Sequence, residues 1–245
     1  MSISDGPKIT KDSSLIVNLD AANKKSYLGT GTNWTNLINK KNGILTNSPS
    51  FNSSNQGSLV FTRASNTYVD YGAVSGSFSS FSVIVWFYPT NIANYENILD
   101  CNYAYNGING NIGPRLEMTA GGNLNWVYSN SASNGSYYYY QTVILSGMAA
   151  NTWYCVGITY DGSGNSSVTY LNGLNTGNAR VTSGFPTGFI AVMNNLRVGQ
   201  GYSLGNQTSQ RGFDGRVSSV QIYNRVLTSS EVYNNFVANR GRFGV

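Results

Sequence analysis

The stretch "FDGRVSSVQIYNRVLTSSEVYNNF", running from Phe213 to Phe236, decides the fold. Its first part, "RVSSVQIYN" (Arg216 to Asn224), is a β-branched and aromatic run of strand length. Next comes Thr228-Ser229-Ser230-Glu231, a capping box in which the Thr228 hydroxyl takes an amide three residues on and Glu231 reaches back to the Thr228 amide. A short helix is therefore predicted through Val232, Tyr233 and Phe236, with Val232 and Phe236 one turn apart. Strand, turn and capped helix in that order close the end of a β structure.

Runs of the same kind fill the rest of the chain: "SLIVNLD" (Ser14 to Asp20), "SLVFT" (Ser58 to Thr62), "FSVIVWFY" (Phe81 to Tyr88) and "TWYCVGITY" (Thr152 to Tyr160). Each is bounded by Gly, Asn, Ser or Pro, which reads as an all-β chain. In "FSVIVWFY", Phe81, Val83, Val85 and Phe87 share one face while Ile84, Trp86 and Tyr88 share the other. A strand with two apolar faces belongs mid-sheet, covered on both sides. Asn172-Gly173 is the pair a type I′ hairpin turn favours, because both positions need φ > 0. About a dozen strands at this spacing predict a two-sheet antiparallel β-sandwich of jelly-roll type. No linker or fixed-period repeat divides it, so the expectation is one domain over residues 14–245, preceded by an arm at 1–13.

Only 10% of residues are charged, against about 25% in an average soluble protein, whereas Tyr numbers 18 and Gly 28. Tyr, Gly, Ser and Asn give amphipathic contact area and adaptable hydrogen bonds, a recognition mixture, although β turns also consume Gly, Asn and Ser. The net charge is +5, and all six lysines fall in the first 41 residues, at Lys8, Lys11, Lys24, Lys25, Lys40 and Lys41. The arginines are scattered, so the clustering a nucleic-acid groove needs is missing, and docking on an acidic protein surface fits better. "MSISDGPKITKDSS" lacks the apolar centre of a secretory signal, and no run approaches a membrane span; a soluble protein without membrane attachment is expected. Cys101 and Cys155, with no histidine in the chain, predict buried free thiols and no zinc site.

The closing stretch resembles the laminin G-like, concanavalin A-like lectin/glucanase superfamily, whose last strand carries the pattern met here as Gly215, Val220, Ile222, Tyr223, Asn224, Arg225, Leu227, Thr228 and Glu231. Leu15 to Asn47, Phe81 to Thr90 and Thr152 to Gly173 look like the first strand, central strand and hairpin of that family. The opening "LDAANKKSY" with a following Trp, together with "NRGRFG" (Asn239 to Gly244), is similar to the variant found in tailed-phage and marine-virus structural proteins. The resemblance implies one of three roles, since members bind glycans, cleave them, or hold an assembly together, and fold alone does not choose.

Without histidine there is no Ser-His-Asp or Cys-His arrangement. Glycoside cleavage needs two carboxylates about 5 to 10 Å apart. The nearest acids in sequence, Glu96 and Asp100, would stand roughly 13 Å apart along a strand, which leaves only a cross-strand pair involving Glu117. An enzyme is not expected, nor any cofactor. Calcium is the one cation the family implies, with Asp70, Asp161 and Asp214 at strand ends as candidate ligands, but the acidic pair that family members carry before the last motif is Ser218-Ser219 here.

A glycan platform would use exposed aromatics, and "NLNWVYSNSASNGSYYYY" (Asn123 to Tyr140) is the richest stretch; Trp126, Tyr128, Tyr138 and Tyr140 are the candidate contacts, on a concave sheet or in the core. An assembly role would use both ends, with Lys8, Lys11, Arg240, Arg242 and Phe243 as contacts. The features together favour a non-enzymatic virion structural protein, a decoration or cement protein on the capsid exterior. Its partner would be the major capsid protein or another virion protein, with a trimer as the oligomer that capsid symmetry suggests and weak adhesion to cell-surface glycan. The alternative is a lectin module of a phage tail or fibre, or of a secreted adhesin.

Overall fold

In the computed structural model of the chain, which describes residues 7–101, 103–104, 111–131, 137–163, 166–180, 191–201 and 211–245, the run with two apolar faces lies mid-sheet as expected. The first strands are β1 (Leu15–Asp20), β2 (Asn33–Thr35), β3 (Asn42–Thr46), β4 (Ser50–Asn52), β5 (Ser58–Phe61), β6 (Tyr68–Phe78), β7 (Ser80–Pro89) and β8 (Glu96–Asp100). After them come β9 (Tyr103–Ala104), β10 (Asn111–Met118), β11 (Leu124–Ser131), β12 (Tyr137–Leu145), β13 (Tyr154–Asp161) and β14 (Ser166–Leu171). The last are β15 (Leu174–Arg180), β16 (Ala191–Val198) and β17 (Gly215–Tyr223), followed by the helix α1 (Ser229–Phe243).

One sheet runs β15-β14-β13-β7-β17-β5-β4, with β1 also on β17; the other runs β12-β11-β10-β8-β16-β6-β3-β2, with β9 beside β10. Every pairing among the described strands is antiparallel. The two sheets pack face to face as a sandwich. Phe81, Val83, Val85 and Phe87 of β7 enter the shared core with Val217, Val220 and Ile222 of β17, and meet Leu116, Met118, Leu124 and Trp126 of the other sheet. The opposite face of β7 forms a second apolar cluster: Ile84 and Trp86 with Trp153, Cys155, Tyr170 and the α1 residues Val232, Phe236 and Phe243. Trp86 stacks on Phe243 at 4.2 Å between ring centroids and on Phe236 at 5.7 Å.

The capping box forms as read: the Glu231 amide donates to Thr228 Oγ1 (3.2 Å) and the Thr228 amide to Glu231 Oε2 (2.8 Å). The helix runs 15 residues, well past the short piece expected, and takes in Arg240, Arg242 and Phe243. Asn234, Asn235, Asn239 and Gly241 are weak helix formers, so local propensity conceals the second half, which the rings against Trp86 hold in place. Asn172 and Gly173 take φ of 49° and 78° in the tight turn that joins β14 to β15. A Cβ on Gly173 would come within 2.8 Å of the Phe236 ring, so the turn and the helix seat both require glycine there.

The segment expected as a free arm is fastened to the sandwich from residue 7 onward; residues 1–6 lie outside the described ones. Ile9 packs on the helix cluster, the Thr10 amide donates to Asn235 Oδ1, and the Tyr223 hydroxyl donates to the Thr10 carbonyl (2.9 Å). Arg225 binds both Asp12 (2.7 Å) and Glu231 (2.6 Å). Hydrogen bonds from Ser14 and Arg225 hold the Asp12 carboxyl down at about 2, and those from Arg225 and Thr228 do the same for Glu231. Cys101 and Cys155 are buried free thiols, pushed up by burial and therefore unreactive. No described helix is long and apolar enough to cross a membrane.

Candidate functional site

The outer face of the second sheet is polar, and strand alternation makes it so. β10 turns Leu116 and Met118 inward and Arg115 and Glu117 outward, while β11 turns Leu124 and Trp126 inward and Asn125 and Val127 outward. One row in register across β11, β10 and β8 reads Asn125, Glu117, Asn97. The next, across β10, β8, β16 and β6, reads Arg115, Asp100, Arg197, Asp70, alternating in charge.

Asn97, Asp100, Arg115, Glu117 and Asn125 are all buried. Glu117 Oε2 stands 3.0 Å from Arg115 Nε and accepts a hydrogen bond from Arg211 Nη1 at 3.1 Å; the Arg115 contact is an ion pair without hydrogen-bond alignment. Asn97 donates its side-chain amide to Asp100 Oδ2 (3.0 Å) and its main-chain amide to the Arg211 carbonyl (2.9 Å). Gly201 presses onto this pair so closely that a Cβ would lie 1.6 Å from Asn97 Nδ2.

Several buried polar atoms here have no hydrogen-bond partner: both amide atoms of Asn125 and Asn97 Oδ1. Leaving such a group unsatisfied costs about 1 to 3 kcal/mol, a cost the buried Asn125 amide adds to this face. At its rim Tyr95, in the loop before β8, is 52% exposed, and the half-buried Arg211 guanidinium sits 5.8 Å from its ring. An open aromatic ring beside a half-buried guanidinium suits a ligand with one apolar face and many hydroxyls.

Sequence reading missed this set. Tyr95 is a single loop tyrosine, Arg211 is 94 positions from Glu117, and no local pattern pairs them. Trp126, offered as a groove residue, is 1% exposed and belongs to the inter-sheet core, because the alternation of β11 turns it inward with Leu124. The backbones of Tyr128 and Tyr140 are directly opposite, and Tyr138 opposes Asn130, but the side chains of Tyr128, Tyr138 and Tyr140 lie outside the described residues. Of the assembly candidates, Lys8, Lys11 and Arg240 are exposed. Phe243 is buried against Trp86, and Arg242 is engaged inside the fold with Asp20 (3.3 Å) and the Ser218 hydroxyl (2.8 Å). Those two are corrected to internal contacts, since the tail that was to carry them is the last turn of the helix.

The acids are likewise rearranged. Glu96 meets Asp214 rather than Asp100: its Oε2 accepts the Asp214 amide at 2.9 Å, and burial, with the Asp214 charge adding to it, pushes its carboxyl up to about 7. Asp70 pairs with Arg197 (3.5 Å), Asp161 bonds Ser163, and Asp214 accepts the Arg63 amide. Among the described residues no three His, Cys, Asp or Glu side chains gather as a metal site, so the three aspartates named for calcium do not form a donor set.

The family profile described as the concanavalin A-like lectin/glucanases superfamily matches residues 62–233, and the chain belongs to that superfamily. Domain 4 of AbnA, a GH43 extracellular arabinanase from Geobacillus stearothermophilus solved with arabinotriose, has the same fold at TM-score 0.64 and 13% identity, over 93% of this chain and 100% of that one. The binding domain of Paraclostridial mosquitocidal protein 1 aligns at TM-score 0.63 and 15% identity, over 91% of this chain and 52% of its own. The ligand binding domain of botulinum neurotoxin serotype D, solved with N-acetylneuraminic acid, aligns at 0.61 and 15%, over 91% and 50%. The chain thus spans about half the length of those toxin domains. No curated protein matches the chain in sequence.

Proposed function

We propose that the chain is a non-catalytic carbohydrate-binding domain whose sugar contacts are the Tyr95 ring and the Arg211 guanidinium. The open Tyr95 ring, 52% exposed with the Arg211 guanidinium 5.8 Å from it, is the observation that carries this reading. Support comes from a superfamily that includes lectins and from a neighbour, aligned over its whole chain, that was solved with arabinotriose. Catalysis finds no foothold here: Glu117 is held by two arginines, and Glu96 is wholly buried with one oxygen on a backbone amide.

Calorimetry with arabinotriose and with N-acetylneuraminic acid tests the reading. Binding of at least one, weakened about tenfold or more (about 1.4 kcal/mol) by Tyr95→Ala with an unchanged melting temperature, is the expected result. Undiminished binding by Tyr95→Ala, or silence from every neutral and acidic sugar tried, sinks it. The same domain on a virus exterior, decorating the major capsid protein, retains Lys8, Lys11 and Arg240 as surface contacts. Quantitative mass spectrometry of purified particles tests that role, which requires copies within a few-fold of the capsid protein.

A further inference from the structure

Four of the six lysines clustered early in the sequence play no part in the face around Tyr95 or in fastening residues 7–13, and two of them, Lys24 and Lys25, stand where two clefts meet. The first cleft, about 690 Å³, opens between the loop after β1 and the last turns of α1, with Asn23, Lys24, Gln56, Asn239 and Arg242 in its walls. The second, about 410 Å³, follows the loop into β2, with Lys24, Lys25, Thr30, Thr32 and Asn33 in its walls and Leu28, 76% exposed, at its rim. Lys24 lines both, so the two clefts lie on either side of it and are together called the furrow. Each volume falls within the range of small-ligand sites.

Its charge is one-sided. Asp20 is the lone carboxylate in either wall, and it is occupied by Arg242 and by the Ala22 amide. Lys24 and Lys25 are exposed, and among the described residues neither ammonium has an acidic partner. Hydroxyls and amides line both halves, and Leu28 adds an apolar surface. Two unneutralised cations in a furrow of hydroxyl and amide groups call for an anionic ligand that also carries many hydroxyls.

We propose that the furrow centred on Lys24 is a second binding site, for an acidic polysaccharide of the uronic-acid type. It shares no residue with the Tyr95 face, and it deepens the carbohydrate-binding reading, on which it rests, by adding a distinct ligand class.

Affinity electrophoresis in gels containing polygalacturonate, with polyglutamate gels alongside, tests it on wild type, the Lys24→Gln/Lys25→Gln double variant and Tyr95→Ala. Wild type should be retarded by the polyuronate, more strongly at low salt, because exposed charges are screened as salt rises. The double variant should lose about tenfold in affinity while keeping its melting temperature and its arabinotriose binding, and Tyr95→Ala should keep polyuronate binding. Equal retardation of the double variant and wild type overturns the site. So does equal retardation of wild type by polyglutamate, which would make the patch a docking surface for acidic protein. Wild type that binds arabinotriose but ignores polyuronate overturns the furrow alone; wild type that ignores every sugar overturns both readings.

Discussion

The outer face of the β7 sheet and the outer face of the β10 sheet are both buried, the first beneath the rings of α1 and the second with side chains that carry charge. On the first, Trp86, Phe236 and Phe243 gain area and close packing, and no geometry beyond contact is demanded of them. On the second, Arg115 pairs with Glu117, Arg197 with Asp70 and the Asn97 amide with Asp100, while both amide atoms of Asn125 are left without a hydrogen bond. Closing a fold needs only the first kind of surface. The second is costly in itself, and the candidate site lies at its rim, where the Tyr95 ring is open beside Arg211.

The sharpest way to break that comparison is Trp86→Ala. Losing a ring stacked on two others should cost about 3 to 5 kcal/mol in denaturant unfolding and release the C-terminal half of α1. No second substitution on the polar face should compensate.

Glu117→Ala should cost nearly as much, about 3 kcal/mol, because it leaves Arg115 buried and uncompensated. Here the loss should be recoverable: adding Arg115→Met should restore most of the stability, as measured by the same unfolding curves. Failure of that rescue would show that the polar face is as tightly packed as the apolar one.

Glu96 sharpens the contrast through pH. Burial holds its carboxyl at about 7 in the fold against 4.5 for the free group, so the stability its neutral form contributes is full below about pH 4.5 and lost as pH rises through about 7. Glu96→Gln should remove a slope on the order of 2 kcal/mol between pH 5 and 8, read from melting temperatures. The smallest effect is expected at Asn125. Asn125→Leu should gain about 1 kcal/mol by removing two unbonded buried amide atoms, and leave sugar binding at Tyr95 unchanged.

What could be read from the sequence divides along the same line. The two faces of "FSVIVWFY" announced a central strand with cover on both sides, because apolar alternation is local and survives folding; the capping box and the Asn172-Gly173 turn were local too. The polar face was hidden for the opposite reason. Arg115 and Glu117 alternate with Leu116 and Met118 as any solvent-facing residues would, and only register with Asp100, Asn97 and Asn125 shows that they are buried. Trp126 looked like a platform residue because a tryptophan in a tyrosine-rich run carries no mark of which face it takes. Tyr95 and Arg211 meet through strand order alone.

The place of β17 has a consequence in time. It lies between β7 on one side and β1 and β5 on the other, so residues 215–223 complete the middle of a sheet whose other members precede them by more than a hundred positions, β13, β14 and β15 excepted. Loop-closure entropy must be met before those distant pairs form, and sandwiches of this kind fold in milliseconds to seconds. On the ribosome, at about 5 to 20 residues per second, the edges of β7 and β1 that await β17 stay open for many seconds after they are made. Until then the nascent chain exposes an apolar strand edge, and its productive folding depends on how well that edge is shielded.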